Sequence, residues 1–243
     1  MSKQMIIYER AVPVTPEQHG SLSVDTKAGY SFASTVNSVP LAAAEFAAAA
    51  SEHVIVFVGS GDDLMPTVIL GRKEGDNAFI NGEGKWIGGY IPAFLRRYPF
   101  VFAAGQKEGS FTLCIDEAYE GLKTDGSGER LFDTDGNRTE YLERMLKFST
   151  DYQAQFNRTR AYMRRLVDLD LLEDARAEFG ASNGGATRIA GFRTINRDKL
   201  KALPGDTLHA MAQTDELELC YLHLHSLRNI ATMERRLKRQ AAL

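Results

Sequence analysis

The chain has 243 residues, 44% of them apolar and 25% charged, and a formal net charge of −3. That is enough material for a substantial core, as one large domain or two intimately packed halves, in an ordinary globular balance. A nearly neutral chain offers no overall electrostatic case for nucleic acid as a partner. No window approaches the roughly 18 consecutive apolar residues of a membrane span, so no membrane insertion is expected. The start, MSKQMIIYERAVPV, meets Glu9 and Arg10 before any long apolar core, which argues against a secretory leader. The protein therefore reads as soluble and cytoplasmic. Cys114 and Cys220 sit in apolar runs without a CxxC spacing and read as buried, reduced hydrophobes.

In chain order, Met5–Tyr8 and His53–Val58 are short runs of β-branched and aromatic type and predict strands. Thr67–Gly71, Ala78–Asn81 and Phe111–Asp116 continue that pattern between Gly, Asp and Asn turns. SVPLAAAEFAAAASE predicts an interrupting helix, with Ser38 as cap, Pro40 in the first turn and alanine throughout. The alanine run Leu41–Ser51 is too short to span a membrane and carries Glu45.

From Arg138 the period changes. Leu142, Met145, Leu146, Ser149, Tyr152, Phe156 and Met163 fall three or four apart, predicting an amphipathic helix to about Val167. Ala175–Phe179 and Thr187–Ile195 predict a hairpin around SNGG. Asn196 should cap a short helix through Leu203, stopped by Pro204-Gly205. The alternation Leu217, Leu219, Tyr221 predicts a strand, and Ser226–Arg239 a closing helix with a basic end. The fold class is α+β: a mostly antiparallel, strand-rich N-terminal half, then a helix, a hairpin and a closing helix. A single domain over 1–243 is expected, with a possible sub-boundary near 120–137 where Gly and Asp concentrate, leaving a strand-rich 1–120 and a helical/hairpin 138–243.

The most unusual stretch is Trp86–Phe100, WIGGYIPAFLRRYPF, with the only tryptophan, two prolines and an arginine pair. Pro92 can start a short helix and Pro99 must end it, because the residue before proline is pushed from the helical region. Arg96 and Arg97 then fall in the last turn and point to different sides, where one could hold a carboxylate or phosphate. Trp86 and Tyr90, four apart, could form an aromatic wall for a ligand or partner, and Tyr98 joins the arginines as a further candidate binding residue. The plainer reading is a rigid loop packed on the core, with one arginine pairing a structural acid.

Asp133-Thr134-Asp135-Gly136-Asn137 has the opening of a calcium loop, but Arg144 stands where the bidentate glutamate belongs, so a tight turn is expected. His223 and His225 would face one side of the predicted strand and could begin a metal site. His209, Asp116 and His19 are candidate further ligands by residue type alone. No nucleophile elbow, phosphate loop, HExxH helix or dinucleotide turn occurs. Gly59-Ser60-Gly61 leads into Asp62-Asp63, which would repel a phosphate.

Taken together, VNSVPLAAAEF, HVIVFV, VILGRKEGDNAFINGEGKW and YIPAFLRRYPF resemble the SapC family. LCIDEAYEGL, RLFDTDGN, IAGFRTINRDKLKAL and ELELCYLHLHSLRNI extend the resemblance over almost the whole chain. The combination carries it, and no single piece would. The pattern positions are His19, Asn37, Pro40, Glu45, Phe46, Gly71, Asn77, Trp86, Tyr90, Pro92, Arg96, Arg97, Tyr98, Pro99, Phe100 and Asp116. The resemblance implies no established catalytic residues and no named cofactor. The family takes its name from an S-layer-associated locus, and members are often encoded near TonB-dependent receptors, flavin-dependent tryptophan-halogenase-like proteins and cupin-like proteins. The label of peptide transport permease attached to relatives conflicts with the lack of membrane segments.

The leading expectation is a soluble accessory or binding protein with a protein or small-molecule partner, linked to surface-layer or TonB-dependent uptake systems. A metal-dependent enzyme acting on an amino-acid or peptide-like substrate is the alternative, and an oligomer-forming structural protein the third. Composition leaves the oligomeric state open.

Overall fold

The computed structural model describes residues 6–105, 110–180 and 186–240, with no side-chain detail at residues 179, 180, 186 and 187. The strands are β1 Ala11–Pro13, β2 Ser23–Val24, β3 Ser38–Pro40, β4 Val54–Val58, β5 Met65–Ile69, β6 Phe100–Ala104, β7 Phe111–Asp116, β8 Leu122–Lys123, β9 Glu129–Arg130, β10 Leu172–Gly180 and β11 Ala186–Ile195. The helices are α1 Pro16–His19, α2 Phe46–Ala49, α3 Ala93–Arg96, α4 Glu140–Asp168, α5 Arg197–Lys201, α6 Gly205–Gln213, α7 Glu216–Ser226 and α8 Ile230–Gln240. The fold is α+β with wholly antiparallel pairing. A five-stranded sheet runs β10-β11-β4-β5-β3, and two three-stranded sheets run β1-β7-β6 and β8-β2-β9. No helix among the described residues is long and apolar enough to cross a membrane.

Strands β4 (VIVFV) and β5 (MPTVI) are buried almost throughout, as expected of central strands covered on both faces. Helix α4 covers the sheet with Tyr152, Phe156, Tyr162, Met163 and Leu166, and Thr139 caps its start by accepting from the Leu142 N–H at 3.3 Å. The glycine- and aspartate-rich stretch after residue 120 contributes β8 and β9, both paired with β2. Its Asp133 accepts from the backbone N–H groups of Asp135 (2.9 Å) and Asn137 (2.8 Å), the tight turn that the sequence predicts.

Several expectations need correction. Residues 6–8 form no strand; Met5 lies outside the described residues. Ile7 and Tyr8 instead anchor a loop whose next backbone groups, the N–H of Glu9 and Arg10, are taken by the Asp116 carboxylate, each at 2.9 Å. Ala78–Asn81 makes only an isolated bridge, Ile80 to Trp86. The expected helix over SVPLAAAEFAAAASE is largely replaced. Ser38–Pro40 pairs with Thr67–Ile69 as an edge strand, where proline is tolerated, and only a tight turn at Ala43–Glu45 and α2 remain helical.

In the second half the hairpin is longer than expected, beginning at Leu172, while its SNGG turn lies outside the described residues. Asn196 caps α5 by accepting from Asp198 (3.0 Å) and Lys199 (2.9 Å). Pro204-Gly205 does more than stop α5, because it opens α6, which the sequence reading missed. The predicted strand at Leu217–Tyr221 is helix α7. Cys220, His223 and Ser226, three apart, form its buried stripe, and that helical spacing overrides the short alternation. The closing helix is split into a tight turn at Leu227–Asn229 and α8.

His223 is fully buried, stacks on Phe57 with ring centroids 4.5 Å apart, and accepts the Ile195 N–H at 3.1 Å through Nε2. Burial pushes its pKa down to about 3, so it stays neutral in the fold. In the unfolded chain an imidazole takes up a proton near pH 6.5. Unfolding therefore binds a proton between these values, and stability is full above pH 6.5 and declines as pH falls towards 3. Urea denaturation at pH 7, 6 and 5 should show His223→Gln, which keeps an acceptor but cannot titrate, losing less stability than wild type. The difference in slope should approach about 1.4 kcal/mol per pH unit, one proton's worth; parallel slopes would refute the assignment.

Candidate ligand-binding site

The segment around the arginine pair is built from the backbone outwards. Tyr90 is held on both sides: its N–H donates to the Glu52 carboxylate, and its carbonyl accepts from His53 Nε2 at 2.9 Å. Burial opposes ionisation of Glu52, but the N–H groups of Tyr90 and Gly89 and the Arg236 guanidinium outweigh it and lower the pKa. Burial lowers that of His53. Gly88 is required here, since a Cβ would come within 2.7 Å of Trp86 Nε1 and 3.0 Å of Phe79 Cδ1. Pro92 then opens α3, and the first free helical N–H, that of Ala93, donates to Glu45 Oε1 at 2.7 Å.

The two arginines diverge as expected. Arg97 is 3% exposed, its guanidinium carbon 4.6 Å from the Phe94 ring centroid, 4.8 Å from Tyr152 and 5.6 Å from Tyr8. That is a structural cation packed by aromatic faces. Arg96 is exposed. Its Nε donates to the Ile91 carbonyl at 2.9 Å and its Nη2 reaches the Tyr90 hydroxyl at 3.4 Å. Its guanidinium lies 5.3 Å from the Phe148 ring centroid and 5.8 Å from that of Tyr90. Among the described residues no carboxylate lies within ion-pair distance of Arg96. The fork is fixed on one edge and open on the other.

Arg96 lines a cleft of about 160 Å³ with Tyr30, Phe32, Tyr98, Tyr119 and Tyr141. Phe32 and Tyr98 stack with centroids 4.0 Å apart and planes at 25°, and Tyr119 stands edge-on to both. Tyr98 donates to Asp116 at 3.2 Å and Tyr119 to the Asp25 carbonyl at 3.3 Å. Tyr141 is 9% exposed, yet its hydroxyl makes no hydrogen bond among the described residues, and neither does that of Tyr30. Burial raises the phenol of Tyr119 to about 12 and raises those of Tyr30, Tyr98 and Tyr141; the Asp116 charge adds to the effect at Tyr98. The cleft thus combines one cation with neutral hydroxyl donors on aromatic walls, a chemistry suited to a small anion with an apolar body.

Of the residues singled out in the sequence, Arg96 and Tyr98 line this cleft. Tyr90 braces Arg96, and Trp86 stands behind Tyr30 with centroids 6.0 Å apart while stacking on Phe79 at 5.3 Å. Trp86 and Tyr90 flank His53 and form no shared wall. The histidine pair is not brought together. Two residues apart on a helix means different faces, so His223 is buried and His225 exposed. Among their suggested companions, His209 is exposed and Asp116 is committed to the N–H groups of Glu9, Arg10 and Ala118 and the Tyr98 hydroxyl. Buried His19 hydrogen-bonds Thr15 and lies 3.5 Å from Glu117. Among the described residues no group of three or more His, Cys, Asp or Glu is placed to hold a metal ion. Sequence reasoning missed Tyr30, Phe32, Tyr119 and Tyr141, which come from three separate segments; only their residue type could have pointed to them.

A family model described as SapC matches residues 14–233. The chain belongs to the SapC family. No curated protein and no solved structure matches it. The SapC match spans every residue of the cleft and both arginines.

The neighbouring arginines of this SapC protein should respond oppositely to truncation. Arg97→Ala removes a buried cation and its packing and should cost about 3 kcal/mol in urea denaturation, whereas Arg96→Ala should stay within about 0.5 kcal/mol of wild type. Equal losses would show that Arg96 is structural as well.

Proposed function

We propose that this SapC-family chain is a ligand-binding accessory protein and that its tyrosine-lined cleft takes a small carboxylate-bearing molecule at Arg96. The supporting observation is the guanidinium itself. It is oriented by Ile91, Tyr90 and Phe148, opens into a cleft, and has no carboxylate partner among the described residues. A planar fork held in place suits bidentate contact with a carboxylate, and the unused hydroxyls of Tyr30 and Tyr141 add donors. Tyrosines whose pKa values are raised remain neutral at physiological pH and serve to bind rather than to accept protons. In the cell this role would be soluble and cytoplasmic, in support of surface-layer or TonB-dependent uptake systems.

The two other readings have less behind them. The histidine pair that suggested a metal-dependent enzyme is divided between two faces of α7. The basic closing helix that suggested oligomer formation buries Met233 and Leu237 against its own chain, and Arg236 pairs with Glu52 at 3.0 Å.

The single tryptophan provides a reporter, since Trp86 stands edge-on to Tyr30 of the cleft. Titration with benzoate and phenylacetate should change Trp86 fluorescence saturably. Arg96→Ala should weaken binding about 10- to 100-fold, the worth of one charge-assisted pair, without altering the melting temperature. No saturable change with either acid, or equal affinity in the variant, would overturn the proposal.

A further inference from the structure

A second cleft, about 180 Å³, lies against the first and shares Phe32, Tyr98 and Tyr119 with it. The stacked Phe32–Tyr98 pair and edge-on Tyr119 form a common partition, and the loop supplying Tyr30 to the first cleft supplies Ala28 and Ser31 to the second. The two differ in charge. The second is lined by Glu9 and Glu120, both exposed, and neither carboxylate has an ion-pair or hydrogen-bond partner among the described residues. The backbone N–H of Glu9 is pinned by Asp116 at 2.9 Å, and Glu120 follows Tyr119, so the partition that shapes the clefts also places both acids. Elsewhere the protein pairs charges directly, as in Arg10–Glu117 (3.1 Å), Arg165–Glu216 (2.8 Å) and Arg236–Glu52 (3.0 Å). Here a guanidinium lines one cleft and two carboxylates line the other, the three aromatic residues are common to both, and no ion pair joins the two charges among the described residues.

We propose that the two clefts form one bipolar site for an extended zwitterion, with its carboxylate at Arg96, its ammonium at Glu9 and Glu120, and its body along the Phe32–Tyr98–Tyr119 edge. The inference rests on the anion-binding reading above and adds the second charge. A single α-amino acid is too short to satisfy it. Its charges sit on one carbon and would fall within a single cleft, whereas the guanidinium and the two carboxylates line separate clefts with three aromatic residues in common. The class that fits is an ω-amino acid or a short linear peptide with both ends free. Aromatic faces and carboxylates together favour an ammonium group, and opposite potentials at the two ends fix its direction.

The test uses phenylalanine, Gly-Phe and Gly-Phe-Gly with free ends, N-acetylated and C-amidated, followed by calorimetry and Trp86 fluorescence. At least one free peptide should bind tenfold or more tighter than either of its capped forms, and free phenylalanine should show no such gain. The double variant Glu9→Gln/Glu120→Gln should erase the advantage over the N-acetylated peptide while leaving binding of that capped peptide and of phenylacetate unchanged. Arg96→Gln should erase the advantage over the amide. If N-acetylated and free peptides bind equally while phenylacetate still depends on Arg96, the bipolar site is wrong and the anion site stands. If the double variant weakens free and N-acetylated peptides alike, the acids act on the fold and the inference fails. If phenylacetate and every peptide fail to bind wild type, both readings fall together.

Discussion

One buried carboxylate sets the geometry on which the rest depends. Glu45 is 7% exposed and accepts from the Ala42 N–H at 2.9 Å, the Ala93 N–H at 2.7 Å and the Tyr90 hydroxyl at 2.8 Å. The first bond caps the turn that Glu45 itself ends, the second caps the helix that leads into the two arginines, and the third holds the ring that braces Arg96. A carboxylate out of water is costly unless its lone pairs are used, and here three donors from separate points of the chain use them. Each charge-assisted bond is worth about 1.5–3 kcal/mol, so the segment around Arg96 is tied to the five-stranded sheet far more tightly than a four-residue helix could manage through its own hydrogen bonds.

Asp116 is the counterpart on the other side of the clefts. Fully buried at the end of β7, it collects the N–H groups of Glu9, Arg10 and Ala118 and the Tyr98 hydroxyl. It thereby fixes the loop before β1, the turn after β7 and the ring at the centre of the aromatic partition. Neither carboxylate faces the clefts as a reactive group. They are frames, and among the residues they frame are the Tyr98 ring of the cleft and Tyr90, the brace of Arg96. This separation explains why polar positions of the family pattern, such as Glu45 and Asp116, lie beside the site and not in it.

How far the sequence could be read follows from the range of the forces involved. Helix α4 and the capped turn at Asn196 were legible because period and capping act over a few residues. The short helix between Pro92 and Pro99, with its arginines diverging, was legible for the same reason. Helix α7 was misread because LELCYLHL satisfies a two-residue alternation at Leu217, Leu219 and Tyr221 while its buried stripe, Cys220–His223–Ser226, contains no large aliphatic residue to mark it. The edge strand at Ser38–Pro40 was hidden by the alanines that follow it, since its reason for being extended is the pairing of Val39 with Val68, 29 residues away. Most of the cleft was beyond reach. Tyr30 and Phe32, Tyr119, and Tyr141 are brought to Arg96 only by tertiary packing, and no local pattern marks them.

The same distinction bears on the groups around the cleft. Burial raises the phenols and lowers His53 and His223, which favours the neutral form of each. A group that binds must be held in one protonation state and one orientation before a ligand arrives. Arg96 meets that requirement through its contacts with Ile91, Tyr90 and Phe148. Arg97, one residue on, has the same chemistry but is enclosed by Phe94, Tyr152 and Tyr8 and cannot meet a ligand. A step of one residue at the end of a four-residue helix therefore separates the buried arginine enclosed by aromatic rings from the exposed one that lines the cleft.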